Sequence, residues 1–507
     1  MNTLPRIYNG GFLPLAEIPL LSHDEFARVL KTGLAEDCRL ASLFALPEKG
    51  NNGKVCLYAV MANSNSPMIR VFGHGAGNSF PSLTPELPQL HLFEREIAEQ
   101  YGVAFPGHSW FKPVRFHASW NGAPDPWQRK TGQHPLVGDM DFFQVEGDEI
   151  HEVGVGPVHA GIIEPGHFRF QCYGEKVLHL EISLGYQHRG IEQMLIGGPW
   201  PQTTMQIETM AGDSSIAHMT AYSRVVEALT GCSISPRAQG LRTIALELER
   251  LANHVGDIGA LAGDVGYLPT SSYCGRLRGD YLNMTATICG SRFGRGLVRP
   301  GGVLFDADDE VRDKILTALE TVSIDTKGAI DLFFDTSSVL ARLEGTGTVH
   351  GGDAKSLGLV GVAGRACGID CDVRRRLDPD VYGNEVVPAM LASSGDVFGR
   401  AIVRRREITH STDFIRRKLN NMPEGNCRNA PGEPAPESLA VCMVEGWRGT
   451  VTHTAITDSK GRFSRYKVVD PSFFNWSGLA MALRDEQISD FPLCNKSFNL
   501  SYCGFDL

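Results

Sequence analysis

Several groups of residues in this sequence are placed to do chemistry. His188, Arg189 and Glu192 gather in one short turn, ahead of an apolar connector that leads to MAGDSS at 210–215. Gly212 permits a tight entry into a helix there, and Asp213 or Ser214 can cap it by accepting a backbone N–H. Charged groups on both sides of an apolar connector point to a site between packed elements. His159 and His167 flank a Gly/Pro loop, which makes them either part of a pocket wall or satisfied structural residues. Glu247, Arg250 and His254 form one stripe of a helical segment, at spacings that allow i,i+3 and i,i+4 pairing. That stripe reads as a solvated face with ion pairs of ~0.5 kcal/mol each, or as a face that meets a partner. Among the 12 cysteines there is no CxxC. The nearest pair, Cys367 and Cys371, lacks the further ligands that a zinc or iron–sulfur site needs and reads as two packed thiols.

These residues need elements to hold them. Helical spacing is clear over 23–36, and 54–63 and 67–74 read as strands. Phe93, Ile97 and Tyr101 recur at helical spacing, with Gly102 as the stop. Residues 117–146 are polar and aperiodic and read as a connector. Alternation predicts a hairpin around Gly174-Glu175. The set Leu241, Ile244, Ala245, Leu248, Leu251, Ala252 and Val255 marks one side of a long helix. Further helices are expected at 276–290, 308–332 and 395–420, a loop at 422–436, strands around 440–456 and 462–469, and a helix near 475–484. The apolar, aromatic ending is expected to be tucked in.

Length and composition narrow the classes. A chain of 507 residues has room for two or more domains. A net charge of -10 argues against nucleic acid as a partner. The apolar run near the N-terminus is broken by prolines and followed by no cleavage site, so a secretory signal is not expected, and reduced thiols are. No stretch is apolar for the ~18 residues that a membrane span needs. No convincing G-x-G-x-x-G dinucleotide signature is present.

Two resemblances cover nearly the whole chain. FEREIAEQYG (93–102), then F-x-GH and KPVR (112–115), resembles the 30-kilodalton subunit family of respiratory complex I, an assembly domain without its own cofactor. From GPVHAGIIEPGHFRF onward the chain resembles the large subunit of group 4 membrane-bound [NiFe] hydrogenases and its relative, the complex I 49-kilodalton subunit. YQHRGIE (186–192), AYSRVVEAL (221–229), PRAQGLRTIALELERLANH (236–254), RPGGV (299–303), EGWRG (445–449) and DPSFFNW…DFPLCNKS (470–497) carry the match. The fused order is similar to formate-hydrogenlyase-type large subunits. The resemblance implies an α+β chain: a 30-kilodalton-like α/β domain at 1–116, a connector at 117–146, and a mainly helical domain at 147–507 with small antiparallel β units at its ends.

The family's nickel–iron centre sits on four cysteine thiolates, soft donors that suit it. Here the first pair corresponds to Ala211-Gly212-Asp213-Ser214-Ser215, followed by His218, and both thiolates are absent. The second pair would fall within 498–504, where only Cys503 stands, with Cys494 upstream. No nickel centre is therefore expected. The family's proton-transfer glutamate corresponds to Glu192, and the arginine beside the iron's ligands to Arg448, with Trp447 in place of the family's preceding proline. The complex I tyrosine that meets a quinone falls on Gly212, and its histidine partner would come from the loop with His159 and His167.

What the resemblance implies is a peripheral subunit of a complex-I-like or hydrogenase-4-like membrane oxidoreductase, on the cytoplasmic side of the inner membrane. Its remnants Glu192, Asp213, His218 and Arg448 would form a buried network coupling protonation to movement in a membrane subunit. A small iron–sulfur subunit and membrane-embedded antiporter-like and quinone-site subunits would be its partners. The chain is expected to bind no cofactor itself: a quinone would lie at the interface, the iron–sulfur cluster on a partner, and NAD on another subunit. The alternatives are a hydrogenase with unusual ligands, drawn from Cys494, Cys503 and Asp213, and a non-catalytic scaffold.

Overall fold

The computed structural model describes residues 4–48, 54–63, 66–129, 135–377, 382 and 385–507. The architecture is α+β. Near the N-terminus, alternating and continuous apolar runs form a four-stranded antiparallel sheet in the order Arg6–Tyr8, Met68–Gly77, Val55–Asn63, Cys38–Pro47. Helix His23–Ala35 packs on it through Phe26 and Leu30. Helix His91–Tyr101 packs on strand Cys38–Pro47 and stops at Gly102, whose φ of 69° is left-handed and free of Cβ strain. Residues 117–129 and 135–146 hold neither helix nor strand.

A second antiparallel sheet contains Ile150–Val155, His167–Tyr173 and Lys176–Ser183. Tyr173 pairs with Lys176, so Gly174-Glu175 makes the expected hairpin turn. The helical body comprises Ser215–Thr230, Pro236–Asp264, Leu268–Cys289, Asp309–Phe334 and Val397–Asn420. Helix Leu268–Cys289 begins earlier than its apolar spacing predicts, because Pro269 is tolerated in a first turn.

Helix Pro236–Asp264 lies at the centre of that body, against Ser215–Thr230, Leu268–Cys289 and Val397–Asn420. Its apolar set is buried as predicted, but so are Glu247, Arg250 and His254, which corrects the reading of a solvated face. Neighbours surround this helix, and its charges are matched by theirs. Arg250 donates to the Glu445 and Gly446 carbonyls at 2.6 and 3.0 Å, Tyr382 donates to Glu247 at 2.8 Å, and His254 donates to Glu407 at 2.6 Å. Arg365 joins Glu407 and Asp372 at 2.6 and 2.8 Å.

A third sheet runs Phe463–Val469, Thr450–Thr457, Ser438–Glu445, Gly11–Pro14, all antiparallel. Gly446–Gly449 breaks the 440–456 stretch into two strands. The neighbouring strands Arg6–Tyr8 and Gly11–Pro14 therefore belong to different sheets. The closing residues Asp506 and Leu507 are buried.

Candidate functional site

The bend between strands Ser438–Glu445 and Thr450–Thr457 delivers Arg448 to the entrance of helix Ser215–Thr230. Its Nη1 and Nη2 donate to the two carboxylate oxygens of Asp213 at 2.6 and 2.8 Å, and its Nε to the Asn499 carbonyl at 2.6 Å. The guanidinium also lies 3.9 Å from the Trp447 ring centre. Trp447 Nε1 and Asn253 Nδ2 hold the Asp213 carbonyl at 2.9 and 3.0 Å. Burial alone would raise the Asp213 carboxyl; Arg448 outweighs it and holds it below the usual range.

With Asp213 committed to Arg448, neither it nor Ser214 caps the helix, contrary to the sequence expectation. Glu249 does so from the central helix, accepting the N–H groups of Ile216 and Ala217 at 2.8 and 3.2 Å. Burial pushes the Glu249 carboxyl up to about 8, against those two bonds.

One turn into the helix, His218 begins a buried chain of hydrogen bonds. Its Nε2 donates to Asp470 at 3.1 Å, since a carboxylate can only accept. Its Nδ1 meets His453 Nε2 at 3.1 Å, and His453 Nδ1 meets the Tyr466 hydroxyl at 2.9 Å. Burial, with His218 alongside, holds His453 well below its ordinary value, so it is neutral. One direction satisfies every atom: Tyr466 donates to His453, His453 to His218, and His218 to Asp470. The two links beyond His218, to His453 and on to Tyr466, can also run in the opposite sense. Asp470 also caps helix Pro471–Ala482, accepting from Ser472 N at 2.8 Å. It sits close enough to Arg448 for that charge to help hold its carboxyl low against burial.

Glu192 stands apart from this chain. It accepts from Arg465 Nη1, Lys467 Nζ and Val468 N, each at 3.0 Å. Lys467 reaches on to Glu96 at 2.7 Å, and Glu96 pairs with Arg115. Burial raises the Glu192 carboxyl, but Lys467, Arg465 and Arg115 outweigh it and bring it to about 2. Strand alternation puts Arg465 and Lys467 on one face of the third sheet and Tyr466 on the other, the face that also carries His453. The sheet thus separates the two polar systems.

The proposed residues fall into these places. Asp213 and Arg448 are bonded, His218 adjoins them through Asp470, and Glu192 belongs to the cluster that ties the N-terminal sheet region to the third sheet. His159 Nε2 donates to the Gly166 carbonyl at 2.7 Å, and His167 Nδ1 to that of Gly156 at 3.1 Å. Arg169 Nε donates to His167 Nε2 at 3.1 Å, so both His167 nitrogens are engaged. Asp470, His453, Tyr466, Lys467 and Arg465 were not singled out from sequence. Asp470 lies in the quoted DPSFFNW motif; the others are polar residues in strands whose neighbours read as buried.

The donors do not fit a nickel–iron centre. Ala211 has no donor atom, and the Ser214 hydroxyl faces Arg448 Nη1 at 3.2 Å. Cys494 is buried against Gly347, with Arg400, Glu486, Asp490 and Arg342 as its charged neighbours; those of Cys503 are Glu164, Asp213 and Asp470. The two sulfurs thus lie in different surroundings. Burial raises both thiols, Cys494 to about 12. Among the described residues no group of three or more His, Cys, Asp or Glu is arranged to hold a metal ion, and no helix is long and apolar enough to cross a membrane.

Residues 21–135 match the family described as "Respiratory-chain NADH dehydrogenase, 30 Kd subunit", and residues 264–436 the family of its 49 Kd subunit. The carbon monoxide-induced hydrogenase of Rhodospirillum rubrum is 31% identical over 350 residues, which is 69% of this chain and 97% of that protein. This chain belongs to the family of complex I 49-kilodalton subunits and membrane-bound hydrogenase large subunits. Hydrogenase-4 component G of Escherichia coli K12 is 27% identical across 92% of this chain and 83% of its own length. The C/D polypeptide of NADH-quinone oxidoreductase from Phocaeicola vulgatus is 30% identical across 72% of this chain and 76% of its own. This family member joins the 30 Kd-type and 49 Kd-type regions in one polypeptide.

Proposed function

We propose that this chain is a peripheral subunit of a membrane-bound oxidoreductase of the complex I and hydrogenase-4 kind, on the cytoplasmic face, and that it couples electron transfer to ion movement without a nickel–iron centre of its own. The observation that carries this reading is the Asp213–Arg448 pair: Asp213 lies in the segment where the resemblance implies metal-binding thiolates, and the pair adjoins the Asp470–His218–His453–Tyr466 chain. Such a chain moves a proton by reversing bonds, with no side chain leaving its place. Arg448 and Asp470 hold charge at one end, and Tyr466 supplies a neutral hydroxyl at the other. Partners of this assembly would be a small iron–sulfur subunit and membrane-embedded antiporter-like and quinone-site subunits. A quinone would lie at the interface, and NAD would bind elsewhere in the complex.

The test is purification of the tagged chain from native membranes, with metal analysis of the product. Co-purification of an iron–sulfur protein and antiporter-like polypeptides, with nickel far below one per chain, supports the reading. A lone monomer, or stoichiometric nickel with hydrogen-dependent dye reduction, overturns it. Tyr466→Phe in the assembled complex then separates a proton path from a scaffold. Loss of ion movement with assembly intact supports the path, and unchanged turnover and ion movement favour the scaffold.

A further inference from the structure

A cavity of about 570 Å³ lies away from the Asp213–Arg448 pair, between helix His91–Tyr101, strand Lys176–Ser183 and helix Pro471–Ala482. Helix His91–Tyr101, residues 109–116, strand Lys176–Ser183 and helix Pro471–Ala482 all contribute to its wall. Its volume is within the ordinary range for small-molecule sites. One side is an aromatic corner: Phe143 lies 4.7 Å from His179 and 5.5 Å from Trp110, centre to centre. Trp476 and Phe505 also line it.

The polar atoms in this wall are selective. His179, Glu181 and Ser183 alternate along one strand and so share a face. Glu181 is engaged, accepting from Lys112 Nζ at 2.7 Å and Phe143 N at 2.8 Å. His179 Nε2 and Ser183 Oγ are buried with no hydrogen-bond partner among the described residues. Buried polar atoms are normally satisfied, so two orphans on one cavity wall call for a ligand atom or ordered water. The local charge is positive: Arg95 lines the cavity, Arg484 stands exposed at its edge, and Lys112 is close by. Among the described residues Glu181 is the one acidic residue in the lining. Burial, Arg484 and Lys112 together keep His179 neutral, outweighing Glu181.

We propose that this cavity binds a flat aromatic monoanion, its ring against Trp110, Phe143 and Trp476 and its oxygen toward Ser183 Oγ and His179 Nε2. The positive surroundings favour an anion over a cation of the same shape, and the aromatic walls favour a ring over an aliphatic chain. This inference uses none of the residues invoked for proton transfer and stands independently of that reading.

The probes are 2-naphthoate and, as a cation of similar shape, 2-naphthylmethylamine, titrated into the full chain by calorimetry and tryptophan fluorescence. The expected result is saturable binding of one naphthoate per chain, at least about tenfold tighter than the amine, as opposite local charge requires. Ser183→Ala removes the orphan hydroxyl without adding volume, and His179→Phe replaces the imidazole by an apolar ring of similar outline. Each is expected to weaken naphthoate at least about fivefold, the size of one hydrogen bond, with circular dichroism unchanged. No saturable binding, equal binding of the amine, or full affinity in both variants would overturn the proposal. If one variant fails to fold, the other alone decides.

Discussion

Arg448 meets Asp213 with two parallel hydrogen bonds, at 2.6 and 2.8 Å. Beside that carboxylate stand Ala211 and Ser214, in the segment where the family resemblance implies a thiolate pair. The exchange is chemically coherent. A site without soft donors keeps charge only if the charge is paired, and a bidentate guanidinium is the side chain best shaped to pair with a carboxylate. The Asp213 side chain is 33% exposed, so solvent screens part of the attraction. Arg448→Met is therefore expected to cost about 2 kcal/mol, below the several typical of a fully buried pair. In urea denaturation, the Arg448→Met/Asp213→Leu double variant should be more stable than Arg448→Met alone.

Glu192 is fully buried among Lys467, Arg465 and Arg115, so its loss should cost more. Glu192→Gln leaves two cations short of their partner, and we expect a loss of about 3–5 kcal/mol at neutral pH. The folded carboxyl is depressed to about 2 from an ordinary 4.5. Its stabilisation is whole above the ordinary value and fades as pH falls toward about 2. The gap between wild type and Glu192→Gln in urea midpoint should therefore narrow on acidification from neutral pH. A gap that stays constant would show that the pairing is not electrostatic.

Glu249 predicts the opposite trend. Its carboxyl is raised from 4.5 to about 8, so the folded protein retains a proton that the unfolded chain has lost. This contribution is whole below the ordinary value and is lost as pH rises toward about 8. Glu249→Gln keeps an acceptor for the helix N–H groups and removes the titration. Melting temperatures across that window should fall with pH more steeply in wild type than in the variant.

Gly361 packs on the backbone that carries Arg448. Its φ is +61°, and an added Cβ would lie 2.0 Å from the Arg448 carbonyl oxygen. Gly361→Ala is expected to cost about 3 kcal/mol through strain and overpacking together. The bend holding Arg448 should shift with it, so protease sensitivity around 446–449 should rise. An unchanged urea midpoint would refute the tight contact.

Much of the frame was legible because it depends on local pattern. The 3.6-residue spacing of Leu241 through Val255 gives the central helix, and the alternation on either side of Gly174-Glu175 gives the hairpin. The polar stripe on that helix was not legible, because Glu247, Arg250 and His254 have the same spacing whether they face water or Glu407 and Glu445. The cap departs from the local pattern for a related reason: Asp213 and Ser214 have the right chemistry, but Arg448 and Glu249 lie far away in sequence and override the local choice. Glu192, Asp213, His218 and Arg448 came from family resemblance. The chain that extends His218 to Tyr466 needs the pairing of two strands, which no single stretch of sequence specifies.

The crossing of Gly11–Pro14 into the third sheet bears on how the protein is made. Asn9, just before that strand, is clasped to Met443 through both its side-chain nitrogen and oxygen, and the two residues are 434 positions apart. On the ribosome, strand Gly11–Pro14 emerges with its hydrogen-bonding edge bare and waits until Ser438–Glu445 has been made. So distant a closure is slow, and an open edge invites pairing with other chains meanwhile. Nascent polypeptide of this kind has reason to depend on a chaperone until its last sheet is complete.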